Sequence, residues 1–373
     1  MYYMKFLSIV LLATFLMARS SLADDATSYA EQGAKALENK NYDSAIDLYS
    51  KAIDLCTNYY YAYYSRGLAY EKKNQLESAI KDFTEAIRFD VDINISWHAF
   101  SMRGKAYYEQ NKLKEAVDDY SMAIKLNPVY VGDRVNRGGI YNLMGKFDLA
   151  KDDFDKAIGL SKTNSAAYLG RGGADAGVGD YKQAIIDYGK AIELATNDLV
   201  PYWARAEVYM AMEDYSNAIT DYSNMARIDP TNNLVFSVRG IVYSKIGRFD
   251  KGVADCQMAL GLDPNSALAN NNLAWLLAIA PDAKLRDGKK AVEYAKKACE
   301  LTNWKVAYCL GTLAAACAET GNFDEAVKWQ EKGIELGLGP KDLKEAKKML
   351  DLYKQKKPYH AELNSTNQTS VTH

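Results

Sequence analysis

The chain has 373 residues, of which 48% are hydrophobic and 25% charged, and its 46 Lys and Arg nearly balance its 48 Asp and Glu. This balance argues against a protein whose main partner is nucleic acid, because such domains usually carry a clear cationic excess. The 7 Pro and 24 Gly exclude collagen-like chains, and 28 Tyr are too many for a disordered one. The composition therefore predicts a folded protein.

Residues 1–23 have the pattern of a signal peptide. Lys5 precedes an apolar stretch that reaches Met17, and the small residues Ser21 and Ala23 fit a signal peptidase cleavage site before Asp24. The stretch is shorter than the roughly 20 apolar residues that a membrane-spanning helix needs. We therefore expect an exported chain, periplasmic or secreted, with no integral membrane segment after cleavage.

Beyond this segment the sequence repeats with a period of 34 residues. Its marker is an Arg-Gly pair, and two small residues seven positions apart follow each marker with a larger residue between them, as in Ala79, Phe83 and Ala86. These three positions share one face of a helix, so each period predicts two helices that pack closely. The markers are Arg66-Gly67, Arg103-Gly104, Arg137-Gly138, Arg171-Gly172 and Arg239-Gly240, with Arg205-Ala206 at the remaining position.

A helix–turn–helix period of this length, with these small and aromatic positions, resembles the tetratricopeptide repeat (TPR) family over about residues 26–337. Nine copies can be counted. The sequence departs from the pattern at Asp175, at Met225 and in the seventh copy at Gly252 and Cys256. The resemblance implies an all-α fold, a right-handed α-solenoid of TPR helix–turn–helix repeats over residues 24–337.

The remaining residues predict a cap and a tail. Residues 338–357 combine the apolar stripe Leu343, Ala346, Leu350 and Tyr353 with a row of lysines. We interpret them as a C-terminal capping helix, because the open end of a repeat array needs a polar cover; a binder of anionic surfaces is the alternative. Residues 358–373 are rich in Asn, Ser and Thr, and we expect them to be disordered.

Within the fifth copy, Gly170, Gly173 and Gly177 fall inside the first helix. Each interior glycine costs about 1 kcal/mol relative to alanine, so this copy is predicted to be locally weak. The alternative is that the glycines permit close packing.

No catalytic, cofactor or metal motif is recognisable. The three histidines have no metal-ligand spacing, and the five cysteines match no zinc motif. We therefore expect a protein that is not an enzyme and that has no cofactor and no metal. A pairing of Cys299 with Cys309 or Cys317 remains open.

The TPR resemblance implies that the first helix of each pair lines a concave groove, which gives candidate partner-binding residues. An apolar, aromatic-rich or helical segment is the expected ligand, because Lys, Asn and Arg that could clamp a terminal carboxylate are few on these faces. The alternative is that the aromatic residues are buried between helices. The candidates are Tyr61, Tyr64, His98 and Tyr108 towards the amino end, and Trp203, Met210, Ile241 and Trp275 towards the carboxyl end.

The arginines of the markers have a structural interpretation. An aspartate stands sixteen residues after each of six arginines, whereas the first copy has Gln32 with Leu48 and lacks both charges. We predict an ion pair inside each of these repeats, joining its two helices. The pairs are Arg66–Asp82, Arg103–Asp119, Arg137–Asp153, Arg171–Asp187, Arg205–Asp221 and Arg239–Asp255.

Together these features predict a non-catalytic scaffold that binds a peptide or protein segment in the groove of a TPR solenoid. One alternative is a structural component of an envelope complex that self-associates. Another is an accessory protein that binds glycan through Tyr and Trp.

Overall fold

The computed structural model describes residues 22–90 and 96–362. Most of the predicted signal peptide and residues 363–373 of the predicted tail lie outside them. The described residues contain 19 helices and no strand, which confirms the all-α fold class. Helix α1 spans residues 22–38. It is followed by α2 (Tyr42–Leu55), α3 (Tyr60–Lys72), α4 (Leu76–Phe89), α5 (Ser96–Glu109), α6 (Leu113–Leu126), α7 (Val131–Leu143), α8 (Phe147–Leu160), α9 (Ser165–Gly177), α10 (Tyr181–Leu194), α11 (Leu199–Ala211), α12 (Tyr215–Ile228), α13 (Asn233–Lys245), α14 (Phe249–Leu262), α15 (Ala267–Ile279), α16 (Gly288–Leu301), α17 (Ala307–Glu319), α18 (Phe323–Glu335) and α19 (Pro340–Lys354).

Consecutive helices form pairs along the chain, from α1/α2 to α17/α18, and α19 follows the last pair. We call the first helix of a pair the A helix and the second the B helix. The chain forms two compact units, one up to Asp187 and one from Tyr188, with the boundary inside α10. Within unit 1, α7 packs on its partner α8 and on the next A helix, α9; within unit 2, α13 packs on α14 and α15.

A residue with positive φ ends the A helix in eight of the pairs. Such a left-handed residue terminates a helix and lets the next one fold back against it. Glycine and asparagine adopt this conformation most easily, and they occupy six of the eight positions. The residues are Lys40, Asn74, Asn111, Gly145, Gly179, Glu213, Gly247 and Gly321.

The small marker residue lets the A helix receive an aromatic ring from the B helix. A Cβ atom at Gly67 would lie only 2.7 Å from the Phe83 ring, which is fully buried. The seventh pair uses a closer contact, because a Cβ at Gly252 would lie 2.6 Å from the carbonyl oxygen of Gly240. The departure at Gly252 therefore accompanies a direct approach of two backbones.

The glycines of α9 also face aromatic rings. A Cβ at Gly170 would lie 2.2 Å from the Phe154 ring, and one at Gly177 would lie 2.3 Å from the Phe147 ring. Asn142 Nδ2 donates to the Gly170 carbonyl at 2.8 Å. These contacts support close packing, the alternative to a weak fifth copy.

Helix α19 lies where a cap was predicted and packs on α18. It buries Ala346, Met349 and Tyr353. Disorder is expected from residue 358 onwards, but the structure describes residues 358–362 packed against the helices of unit 2. These residues return to unit 2 and contact α15 and α17, because Tyr359 and Ala361 supply apolar surface to the core there.

All five cysteines are free. Four of them are buried, and burial raises the pKa of Cys256 and Cys299 to about 12 and that of Cys317 to about 11. They occupy core positions as small apolar side chains.

Candidate functional site

Each of the six arginines lies against the aspartate sixteen residues later. In every pair Nε donates to Oδ2 and Nη2 to Oδ1, at 2.7–2.9 Å, so the contact is bidentate. The aspartates are buried. The hydrogen bond to Asp187 raises the pKa of Arg171, although burial opposes it. These arginines are therefore held inside the fold and do not form a free cationic row.

Five of the arginines also reach the B helix of the preceding repeat through Nη1. Arg66 donates to Ser50 Oγ at 2.9 Å, and Arg137 to Ser121 Oγ at 2.7 Å. For Arg205 the corresponding position is Gly189, where a Cβ would lie 3.3 Å from Nη1. The predicted pairs do not include this third helix, although a hydroxyl sixteen residues before the arginine recurs in the sequence. The remaining acceptors are Thr84 for Arg103, Asp155 for Arg171 and Ser223 for Arg239.

Three of the candidate binding residues in unit 1 belong to one aromatic cluster. The ring centroids of Tyr64 and His98 lie 6.3 Å apart. His98 stacks on Trp97 at 3.4 Å, and Trp97 lies 5.0 Å from the Tyr130 ring. Burial lowers the pKa of His98, which favours the neutral form of its imidazole. Tyr61 lies three residues before Tyr64 on the same face of α3, and its ring is 6.3 Å from that of Tyr59. The set, called the unit-1 aromatic cluster below, comprises Tyr59, Tyr61, Tyr64, Trp97, His98 and Tyr130.

The cluster reaches solvent at its edges. Tyr61 and Tyr130 expose 41% and 44% of their surface, and the cluster draws on α3, α5 and the N-cap of α7. The predicted groove register omitted Tyr130, because it covered only positions inside helices and Tyr130 is the N-cap of α7. It also missed Trp97, because it chose the neighbouring His98 for the groove.

Tyr108, the fourth candidate in unit 1, lies apart from this cluster. It is ten residues beyond His98 on α5, about 15 Å along the helix axis, and 43% exposed. The structure therefore does not place it in the same site.

A buried carboxyl group lies between two A helices of unit 1. Asp133 on α7 is fully buried and accepts a 2.5 Å hydrogen bond from Ser101 Oγ on α5. Its other oxygen has no hydrogen-bond partner among the described residues. Burial raises the pKa of Asp133 to about 6, although the Ser101 hydrogen bond opposes the shift. This group titrates close to the physiological range.

The candidates in unit 2 fall into two groups, both half-buried. Trp203 and Met210 pack on one apolar cluster, where the Trp203 ring meets Tyr222 edge-on at 5.6 Å. Ile241 and Trp275 pack on another, and Trp275 stacks on Tyr359 at 6.2 Å. Part of each side chain thus belongs to the helix interfaces.

Within residues 22–90 and 96–362, no helix is long and apolar enough to cross a membrane. The same residues contain no group of three or more His, Cys, Asp or Glu side chains that could hold a metal ion.

Family models match the sequence in several places. Tetratricopeptide repeat models match residues 36–74, 60–92 and 306–337, and a model described as the ETO1 C-terminal domain matches residues 79–271, slightly more than half of the chain. The chain is a TPR protein of the ETO1 C-terminal domain family. No curated protein matches its sequence.

Solved TPR structures resemble this protein. The C-terminal part of a TPR repeat-containing protein from Cytophaga hutchinsonii is 21% identical, with a TM-score of 0.54, and the match covers 65% of this chain and 98% of that one. A tetratricopeptide repeat protein from Parabacteroides merdae is 15% identical, with a TM-score of 0.49, covering 79% and 98%. Yeast Tom70 is 17% identical, with a TM-score of 0.46, covering 90% of each chain. The first of these likenesses supports the TPR fold alone.

Proposed function

We propose that this TPR protein is a non-catalytic scaffold that binds a peptide or protein segment through the unit-1 aromatic cluster. The exposure of Tyr61 and Tyr130 around the stacked rings of Trp97 and His98 is the observation that supports this site. Aromatic side chains supply large contact areas with little loss of conformational freedom, and they dominate binding hot spots.

The charge around this cluster favours an apolar or aromatic ligand over an acidic one. Arg66 and Arg103, on the same A helices, are held by Asp82 and Asp119. Lys105 on α5 is paired with Glu71 on α3. These cations are therefore already neutralised inside the fold.

An export signal in residues 1–23 would place the scaffold in the periplasm or outside the cell, and this localisation is part of the proposal.

A photocrosslinking amino acid at position 130 tests the site. A partner should be captured covalently from the native compartment at position 130 and not at position 308, where Tyr308 is an exposed control in unit 2.

The double substitution Trp97→Ala with Tyr61→Ala should weaken binding of the identified partner by at least about 2 kcal/mol. Neutralising Lys348, Lys356 and Lys357 should leave its affinity nearly unchanged. Capture at 308 alone, or binding that follows the lysines, would contradict the proposal.

Self-association is the second candidate function. It is favoured by exposed apolar residues on the B helices of unit 1, where Leu149 and Ile186 leave about half of their surface in solvent. Size-exclusion chromatography with light scattering on the mature chain tests it, and a monomer at all concentrations would contradict it. Polysaccharide pull-down tests the glycan-binding alternative in the same way.

A further inference from the structure

The C-terminal segment of residues 358–362 crosses the A helices of unit 2 without forming a helix itself. Its three central residues each make a different kind of contact. Tyr359 stacks on Trp275 of α15, with ring centroids 6.2 Å apart and an interplanar angle of 27°. The amide nitrogen of Ala361 donates to the carbonyl oxygen of Ile279 at 2.9 Å. His360 Nε2 lies 2.6 Å from Glu319 Oε2 at the end of α17.

Arg286 holds the Glu319 carboxylate of this surface in place. Arg286 Nε donates to Glu319 Oε1 at 2.8 Å, which orients the carboxylate and leaves Oε2 for His360. Arg286 is itself fixed by hydrogen bonds from Nη1 to the carbonyl oxygens of Ala280 and Pro281, at 2.8 and 3.0 Å. The connection between α15 and α16, residues 280–287, therefore builds one wall of the surface.

The carbonyl oxygen of Ile279, at the end of α15, is the third group that the segment contacts, besides the Trp275 ring and the Glu319 carboxylate. The last carbonyls of a helix lack partners within the helix, so they accept hydrogen bonds from other segments. Three successive residues of the segment thus meet a ring for stacking, an oriented carboxylate and a backbone acceptor, in that order. This is the arrangement by which a groove reads both the backbone and the side chains of a peptide.

We infer that residues 358–362 occupy, from within the same chain, a peptide-binding site of unit 2 formed by Trp275, Ile279, Arg286 and Glu319. The external ligand of this site is an extended segment of another protein in which an aromatic residue precedes a residue whose side chain can donate a hydrogen bond to the Glu319 carboxylate, the position that His360 occupies. The inference rests on the proposed function, because it gives a TPR scaffold a second binding site and the means of its regulation. The tethered segment holds the site closed until such a ligand displaces it.

Binding of a fluorescent peptide with the sequence of residues 356–362 to the full chain tests this site. In the native chain the tethered segment competes at a high effective concentration, so the apparent affinity falls in proportion to the fraction of open sites. Tyr359→Ala should bind the peptide at least about 10-fold more tightly than the native chain. The matched control Tyr359→Phe keeps the stacking ring and should bind like the native chain.

Two further variants assign the binding to the surface itself. Adding Trp275→Ala to Tyr359→Ala should remove most of the gained affinity, and adding Glu319→Gln, which keeps the shape of the side chain, should reduce it. A peptide in which Ala replaces the tyrosine should not bind. Amide exchange gives an independent readout, because the Ala361 amide of the native chain should exchange faster when unlabelled peptide is in excess.

Equal affinity of the native chain and Tyr359→Ala, or no binding to Tyr359→Ala, would overturn the inference. Binding that ignores both Trp275→Ala and Glu319→Gln would also overturn it. The proposed function is measured separately, by crosslinking at position 130 in unit 1. A failure of the peptide assay with successful crosslinking would therefore reject the gated site and leave the scaffold role standing.

Discussion

Arg137 on α7 and Asp153 on α8 join the two helices of one repeat through two parallel hydrogen bonds, at 2.8 Å and 2.7 Å. Asp153 is almost fully buried, and Arg137 also donates to Ser121 on the preceding B helix. Removing the carboxylate would leave a guanidinium inside the fold with only one hydroxyl partner.

Asp153→Ala should therefore destabilise the protein by about 3 kcal/mol, because breaking one side of a buried pair leaves its partner uncompensated. Long repeat arrays can unfold in more than one step, so urea denaturation should be combined with amide exchange of α7 and α8. The control is Asp152→Ala, which removes an exposed partner of Lys156 and should change stability by less than about 1 kcal/mol. Equal effects of the two substitutions would contradict a structural role for the pair.

Two glycines in neighbouring helices should respond to alanine with opposite signs. Gly170→Ala places a methyl group against the Phe154 ring, so overpacking of about 1–3 kcal/mol should outweigh the helix propensity gained. Gly159→Ala meets no atom within 4 Å and should stabilise the protein by about 0.5–1 kcal/mol. Urea midpoints of the two variants give the comparison, and stabilisation by both would show that Phe154 moves aside freely.

The buried carboxyl of Asp133 should make stability depend on pH. Its pKa of about 6 lies above the ordinary value of an unfolded aspartate, so between about pH 4 and pH 6 the native state holds a proton that the unfolded state has lost. This contribution to stability therefore decreases as pH rises through that window, by about 2–3 kcal/mol, and stays constant above it.

Asp133→Asn removes this titration. Its stability relative to the native chain should improve between pH 4 and pH 7, as measured by urea denaturation at both values. Asp118→Asn, at an exposed position, is the control for the removal of one carboxylate charge, and the trend should be larger for Asp133→Asn. A pH-independent difference between Asp133→Asn and the native chain would reject the shifted pKa.

Thiol reactivity should separate the cysteines. Cys56 is half-buried, whereas the other four are buried and their thiols have raised pKa values. Because the thiolate is the reactive form, Ellman's reagent at pH 8 should modify Cys56 first and the others only on unfolding. The variant Cys56→Ser should lose the fast phase, and a fast phase that survives this substitution would contradict the burial pattern.

Much of the repeated architecture could be predicted from the sequence, because its contacts are close in the chain. Arg66 and Asp82 are sixteen residues apart, on two helices joined by a short turn, so the period alone fixes which residues face each other. Helix α19 forms where an apolar stripe was predicted, although the structure buries Met349 there and leaves Leu343 and Leu350 half-buried. The packing of the seventh repeat does not follow from the period alone. In this repeat the backbones of Gly240 and Gly252 contact each other directly, whereas in other repeats the marker glycine faces an aromatic ring.

The candidate binding surfaces could be predicted only in part. The predicted candidates Tyr64 and His98 lie near each other in the structure, whereas Tyr130, which lies outside the helices, was not among the candidates. Tyrosine and tryptophan are equally at home in a core and at a surface, so residue type did not distinguish the exposed Tyr61 from the half-buried Trp203.

The sequence by itself determined the all-helical class, the 34-residue repeat and the partner of each marker arginine, because these depend on local periodicity and short connections. Only the tertiary structure decided that Asp133 is buried against Ser101 and that Tyr359 returns to Trp275, 84 positions earlier in the chain. Such contacts depend on surfaces that exist only after several helices have packed together. No pattern within a single repeat could therefore have predicted them.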